Sequence, residues 1–96
     1  MPQTIAVVAT ITAHAEHARQ VEEALRIAVP AVREEAGCER YELHRDLANP
    51  HQFVMIERWQ DEAALARHVE APAFQALAKA LDGRAQLLVA RLAPLA

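Results

Sequence analysis

The chain has 96 residues and a formal net charge of −3, from 10 basic and 13 acidic side chains. A chain of this length suits one small domain, and we interpret residues 1–96 as that domain. Because charges of both signs are interspersed and no basic stretch stands out, the composition argues against nucleic-acid binding.

The cysteine and glycine content excludes several classes of site. The single cysteine, Cys38, rules out an internal disulfide and the common zinc fingers. His14 and His17 lack an evident third ligand, so they do not predict a metal site. With only 2 glycines there is no glycine-rich phosphate loop, so a nucleotide cofactor is not expected. Neither a signal peptide nor a membrane-spanning run is evident, and we expect a cytoplasmic protein that does not bind membranes.

The chain begins with a predicted strand and a predicted helix. Residues 5–12 are β-branched and almost continuously apolar, which is typical of a strand covered on both faces. Apolar residues then recur every three or four positions over residues 15–35, which predicts an amphipathic helix. Pro30 is expected to kink the last turns of this helix or to split them off.

A predicted β-hairpin follows. Residues 38–46 and 52–59 both alternate, and Asn49-Pro50 marks the turn between them. In the first of these strands, alternation places Cys38 and Tyr41 on opposite faces.

The second half of the chain completes an α+β pattern. Asp61 is a good N-cap for a helix, Pro72 ends that helix and opens another, and residues 86–92 form the last strand. The resulting order predicts a ferredoxin-like βαββαβ fold, with a four-stranded antiparallel sheet and helices on one face. Since the first strand is apolar on both sides, the open face of the sheet should need a partner. A homodimer with two sheets packed face to face would provide it.

The strand at residues 52–59 carries the most unusual pattern. Alternation places Glu57 on the same face as Met55 and Trp59, where an unpartnered carboxylate would be costly. His68 falls on the apolar side of the next helix. We therefore predict that Glu57, Trp59 and His68 meet in one pocket, where a Glu57–His68 pair would fix the imidazole tautomer.

Each of these side chains also has a purely structural interpretation. Glu57 is either a general base with a pKa raised by burial or a buried carboxylate paired for structure. His68 is either a proton carrier or a hydrogen-bonded core histidine. Trp59 is either a wall for a planar substrate or the principal core aromatic, and Tyr41 either supplies a pocket hydroxyl or packs.

Short motifs between residues 5 and 92 suggest a family. They are Glu35-Ala36-Gly37-Cys38 followed by Tyr41, Asn49-Pro50 with Phe53, Glu57-Arg58-Trp59, His68 and Phe74. In this combination the chain resembles the antibiotic biosynthesis monooxygenase family of dimeric α+β barrel proteins. The resemblance implies a homodimer, with a pocket between sheet and helices, that oxidises quinols or aromatic polyketides with O2 and without metal or flavin. Haem degradation, known from another branch, is not expected, because the first strand lacks Asn and the helix at Phe74 lacks His.

The resulting hypothesis is a cofactor-independent monooxygenase acting on a small quinol, phenol or polyketide-like aromatic with O2. Glu57 and His68 would remove the substrate proton. Five residues would bind the substrate: Trp59, Tyr41, Phe53, Met55 and Phe74. Two alternatives stay open, an isomerase that moves a proton through His68 and a non-catalytic ligand-binding or stress protein.

Overall fold

The computed structural model describes residues 3–96, which form four strands and three α-helices. In chain order these are β1 (Ile5–Ala13), a 3-10 turn (Ala15–His17), α1 (Ala18–Arg33), β2 (Cys38–Arg45), β3 (Gln52–Trp59), α2 (Glu62–Glu70), α3 (Pro72–Leu81) and β4 (Ala85–Leu92). The predicted order of elements is confirmed, including the division of the second helical region at Pro72. Within residues 3–96, no helix is both long and apolar enough to cross a membrane.

The strands form one antiparallel sheet in the order β2-β3-β1-β4. β1 lies between β3 and β4, so its neighbours satisfy its backbone on both sides. The predicted ferredoxin-like α+β fold is therefore confirmed.

One face of the sheet and the helices enclose the core. Buried residues alternate along the two central strands, as expected when one face is covered. They are Val7, Ala9, Ile11 and Ala13 on β1, and Phe53, Met55, Glu57 and Trp59 on β3. From α1 the buried residues are Val21, Leu25, Ala28 and Val32, which recur at the predicted helical spacing.

The opposite face of the sheet is less well covered. The register places Val8 beside Ile56 and Ala90, and Thr10 beside Val54 and Leu88. These residues of β1 and β3 are half-buried, while Leu88 on β4 is 73% exposed. The described chain thus presents an apolar area on its open face.

One local prediction is narrowed and another needs correction. Pro30 does not split the helix, since α1 continues to Arg33. Pro30 is exposed and close to the end of α1, so the loss of a single backbone donor is tolerated there. The predicted face of Cys38 is also wrong, because a register shift between Cys38 and Arg40 sets Cys38 opposite Trp59, on the helix-covered face.

Candidate active site

Glu57 and Trp59 stand side by side at the end of β3. They are two residues apart in a strand, so their side chains share the helix-covered face. Nε1 of Trp59 donates a hydrogen bond to Oε1 of Glu57, with 2.9 Å between the two atoms. Trp59 has no exposed surface, and Glu57 is 6% exposed. This bond satisfies one oxygen of a carboxylate that is otherwise costly to bury.

His68 reaches the same place from α2. The Asp61 carboxylate caps this helix by accepting a hydrogen bond from the Ala64 backbone N–H at 2.8 Å. The helical period then turns His68 toward the sheet, where it is 3% exposed. Its ring stacks on Trp59, with centroids 4.5 Å apart and planes inclined by 30°. Glu57, Trp59 and His68 therefore lie together, and Trp59 contacts both of the others.

Two further aromatic rings meet the imidazole edge to face. Tyr41 on β2 lies with its centroid 5.7 Å from that of His68, at an interplanar angle of 66°. Phe74 on α3 lies 5.2 Å away at 68°. Such arrangements are favourable for aromatic pairs and leave the ring little freedom to turn.

The hydrogen-bond partner of His68 is Glu35, in the loop between α1 and β2. Nδ1 of His68 lies 2.8 Å from Oε1 of Glu35. The predicted Glu57–His68 pair is therefore wrong, since the recorded bond of the Glu57 carboxylate goes to Trp59. Glu35 belongs to one of the short sequence motifs, but no local pattern indicates a role for it. The pairing bridges 33 positions of the chain, and local patterns do not carry that information.

A cavity of about 130 Å³ opens beside these side chains, between the sheet and α2 and α3. Its lining is mainly apolar and includes Val7, Ile11, Leu65, Leu77, Leu87 and Val89. Five of the predicted site residues also line it, namely Tyr41, Met55, Glu57, His68 and Phe74. A concave, mostly apolar cavity with a few polar groups is the usual form of a small-molecule site.

Trp59 and Phe53 lie outside the lining of this cavity. Trp59 has no exposed surface and lies behind His68, so it contacts the imidazole rather than the cavity. Phe53 stands two positions before Met55 and lines a separate hollow near α1.

Polar atoms of Tyr41, Glu57 and His68 border the cavity. Among residues 3–96, no fully buried side-chain nitrogen or oxygen lacks a hydrogen-bond partner. In that part of the chain, no protein group is hydrogen-bonded to the Tyr41 hydroxyl, to Oε2 of Glu57 or to Nε2 of His68. These atoms must therefore reach accessible space, and all three residues line the cavity. A bound molecule would meet a hydroxyl, a carboxylate and an imidazole on an apolar background.

Burial changes the acidity of two of these groups. It raises the pKa of Glu57 to about 7; the hydrogen bond from Trp59 opposes this shift, and the negative charge of Glu35 adds to it. Burial also raises the pKa of Tyr41 well above its usual range, helped by the charges of Glu57 and Glu35. Near neutral pH, Glu57 therefore populates both protonation states, while Tyr41 remains a neutral hydroxyl.

Metal ligands do not cluster in the described chain. Within residues 3–96 there is no group of three or more His, Cys, Asp or Glu side chains arranged to hold a metal ion. His17 instead has its Nδ1 3.3 Å from Oε1 of Gln20, in an exposed position.

Comparison with known proteins identifies the family of this chain. The family model for antibiotic biosynthesis monooxygenase matches residues 4–80. The chain belongs to the antibiotic biosynthesis monooxygenase family. A curated relative, YcnE of Bacillus subtilis (strain 168), a candidate monooxygenase, is 42% identical over 43 residues. That stretch covers 45% of this chain and 45% of YcnE, so the match spans less than half of the relative.

Solved structures of similar proteins share the whole fold. PA3566 of Pseudomonas aeruginosa is 39% identical, with 100% of this chain and 98% of that chain covered and a TM-score of 0.93. A candidate antibiotic biosynthesis monooxygenase of Deinococcus radiodurans is 26% identical, with coverage of 96% and 93% and a TM-score of 0.88. Rv0793 of Mycobacterium tuberculosis, at 23% identity, shares the fold, with coverage of 97% and 96% and a TM-score of 0.92.

Proposed function

We propose that this member of the antibiotic biosynthesis monooxygenase family is a cofactor-independent monooxygenase that oxidises a small quinol or phenol with O2. One observation carries the proposal. Glu57 and His68 each have one polar atom bound to the protein and another bordering the apolar cavity. This arrangement suits the removal of a proton from a hydroxyl group in a site that excludes bulk water.

The reaction starts with the substrate hydroxyl. Its proton passes to Nε2 of His68, and the phenolate that forms is electron-rich enough to give one electron to triplet O2. The radical pair combines at a ring carbon, and a C–O bond forms. Loss of the ring C–H proton and cleavage of the O–O bond leave a quinone and one water. The substrate supplies all the electrons, so the reaction balances without an external reductant.

Glu57 would bind the second hydroxyl group of a quinol substrate. With its pKa raised to about 7, it exists as both carboxylate and carboxylic acid near neutral pH. It would thus accept a hydrogen bond from the substrate and take up the proton released from the ring carbon. Tyr41 remains a neutral hydroxyl and would donate a hydrogen bond to the developing phenolate.

Apolar contacts would hold the substrate ring. Met55 and Phe74 line the cavity on opposite sides, one on β3 and one on α3. The cavity volume of about 130 Å³ matches a ligand of one or two small rings better than a large polyketide. Trp59 would act through His68, whose ring it supports.

The test of this function is oxygen uptake by metal-free protein with a panel of quinols and phenols. We expect O2 consumption with one equivalent of quinone formed, and with one atom of 18O2 in the product and the other in water. No uptake with any compound across the pH range would contradict the proposal. Solvent deuterium entering a substrate without O2 consumption would point to proton transfer alone.

The open face of the sheet is the proposed interface of a homodimer. Proteins of this family are typically dimeric, and the apolar area around Val8, Val54 and Ile56 would be covered by a second copy. Leu88→Glu would place a charge on this face and should shift the protein toward monomer in sedimentation velocity. Leu47→Glu, in the exposed turn between β2 and β3, is the matched control and should leave the assembly unchanged. If Leu88→Glu forms as much dimer as Leu47→Glu, the interface lies elsewhere on the protein.

A further inference from the structure

The surroundings of His68 leave one of its ring nitrogens available to the cavity. Trp59 covers one face of the ring, and Tyr41 and Phe74 approach at their edges. Nδ1 lies 2.8 Å from the Glu35 carboxylate. Nε2 is therefore the nitrogen that a bound molecule can reach.

We propose that Glu35 is a positioning residue, which accepts a hydrogen bond from Nδ1–H of His68 and so keeps Nε2 unprotonated and facing the cavity. A carboxylate accepts hydrogen bonds and has no proton to give, so its partner nitrogen must carry the hydrogen. In a neutral imidazole the other nitrogen is then the base. The catalytic consequence of this pairing rests on the proposed oxygenase function, whereas the tautomer itself does not.

The loop that carries Glu35 is held on both sides. Its backbone N–H donates to the Val32 carbonyl at 3.0 Å, and its carbonyl accepts from the Cys38 N–H at 3.1 Å. Two residues on, the carbonyl of Gly37 accepts from the Gln60 N–H at 2.8 Å. These bonds tie the loop to the end of α1 and to the start of the α2 region, so the carboxylate is placed before any ligand arrives.

Gly37 brings this loop close enough for the pairing. It has φ +85°, a conformation that L side chains rarely adopt. A Cβ at this position would lie 2.4 Å from the Cβ of Ala64, one turn before His68 on α2. Because Gly37 has no side chain, the loop rests directly on α2, and Glu35 reaches a histidine that is only 3% exposed.

Glu35 would also balance the charge that appears during proton transfer. When a substrate hydroxyl gives its proton to Nε2, the imidazole becomes a cation, and the Glu35 carboxylate lies against it. The Glu35 side chain is only 18% exposed, so water screens this attraction less than it would at the surface. The proton on Nε2 is then given back to the peroxide oxygen as the O–O bond breaks and water forms, so His68 returns to its neutral form with its hydrogen still on Nδ1.

Nitrogen NMR of the wild-type protein tests the tautomer without any variant. Long-range 1H–15N spectra at alkaline pH, where an imidazole is neutral, separate protonated from unprotonated ring nitrogens. We expect His68 to carry its hydrogen on Nδ1 and to show an unprotonated Nε2. A hydrogen on Nε2 would overturn the proposal, even if the protein proves to be an oxygenase.

Glu35→Gln tests the effect of the Glu35–His68 pairing on catalysis, with Glu34→Gln as the matched control. Glu34 is the exposed neighbour, and its side chain makes no hydrogen bond within residues 3–96. A glutamine amide can donate to Nδ1 and so stabilise the wrong tautomer. We expect kcat to fall about 10- to 100-fold, with KM nearly unchanged, together with a hydrogen on Nε2 of His68. Glu34→Gln should change neither.

The two measurements separate this inference from the oxygenase proposal. If no substrate is oxidised, the tautomer in wild type and in Glu35→Gln still decides whether Glu35 positions His68. If oxidation is observed and Glu35→Gln keeps both wild-type kcat and the wild-type tautomer, Glu35 has no positioning role. If Glu35→Gln does not fold, the wild-type spectrum still tests the proposal, because it shows which ring nitrogen of His68 carries the hydrogen.

Discussion

The two ends of the helix-covered face of β3 both bring a charged side chain against an aromatic ring, with different results. At the Trp59 end, Glu57 is 6% exposed and accepts its hydrogen bond from the indole inside an apolar site. At the Phe53 end, the Arg45 guanidinium lies 5.4 Å from the ring centroid and remains in solvent. Arg45 pairs there with Glu22, which also pairs with Arg26.

Access of water explains the difference between the two ends. Around Phe53 the hollow is larger, about 300 Å³, and its charged side chains are solvated. Their mutual attraction is screened, and such pairs contribute little to stability. Around Trp59 the protein excludes water, and the pKa of Glu57 rises to about 7. A charged side chain beside an aromatic ring therefore gives a solvated surface at one end of the strand and a buried carboxylate with a raised pKa at the other.

The largest expected difference is in turnover. His68→Ala should lower kcat/KM for quinol oxidation by about 10²- to 10⁴-fold, because it removes the proposed base. His44→Ala is the matched change at the Phe53 end, where His44 lines the exposed hollow, and it should keep wild-type rates. Circular dichroism would show that both variants are folded. Wild-type activity in His68→Ala would contradict the proton-transfer role.

Trp59→Ala should show how much the buried ring at the Trp59 end of β3 contributes to stability. Removal of this fully buried ring should cost about 3–5 kcal/mol in the free energy of unfolding. It also removes the indole donor to Glu57 and the support for His68. Urea denaturation followed by circular dichroism measures the loss. A change below about 1 kcal/mol would mean that the ring is not buried in solution.

Glu57→Gln should change the pH dependence of stability. The pKa of Glu57 is raised on folding from 4.5 to about 7, so in this interval the folded state holds a proton that the unfolded state has lost. The stability of the wild type therefore falls as pH rises through this interval, by about 1 to 3 kcal/mol in total. Glu57→Gln removes this contribution and should flatten the profile measured by urea denaturation. Identical slopes in both proteins would mean that Glu57 is not buried in the way described.

The smallest effect is expected from the exposed ion pairs at the Phe53 end. Glu22→Gln removes the partner of both Arg26 and Arg45. It should nevertheless change the free energy of unfolding by less than about 1 kcal/mol, and less still at high salt. The same denaturation series measures it. A loss as large as that of Trp59→Ala would remove the distinction between the two ends.

Much of the site could be predicted from local patterns. Alternation in β3 places Met55, Glu57 and Trp59 on one face, because strand geometry requires it. The helical period turns His68 inward. Two features of the site depend on other elements and do not follow from local patterns. His68 takes Glu35 as its partner instead of Glu57, and Trp59 and Phe53 lie outside the lining of the cavity.

The sequence by itself determined the elements, the faces of its helices and central strands, and the group of side chains around His68. These follow from backbone geometry and apolar spacing, which act over a few residues. Only the tertiary structure decided which partners those side chains take. The loop of Glu35 and Gly37 rests on α2 because a backbone without a Cβ fits against Ala64, and this contact brings Glu35 to His68 across 33 positions of the chain. Likewise, burial between the sheet and the helices, and no single motif, raises the pKa of Glu57.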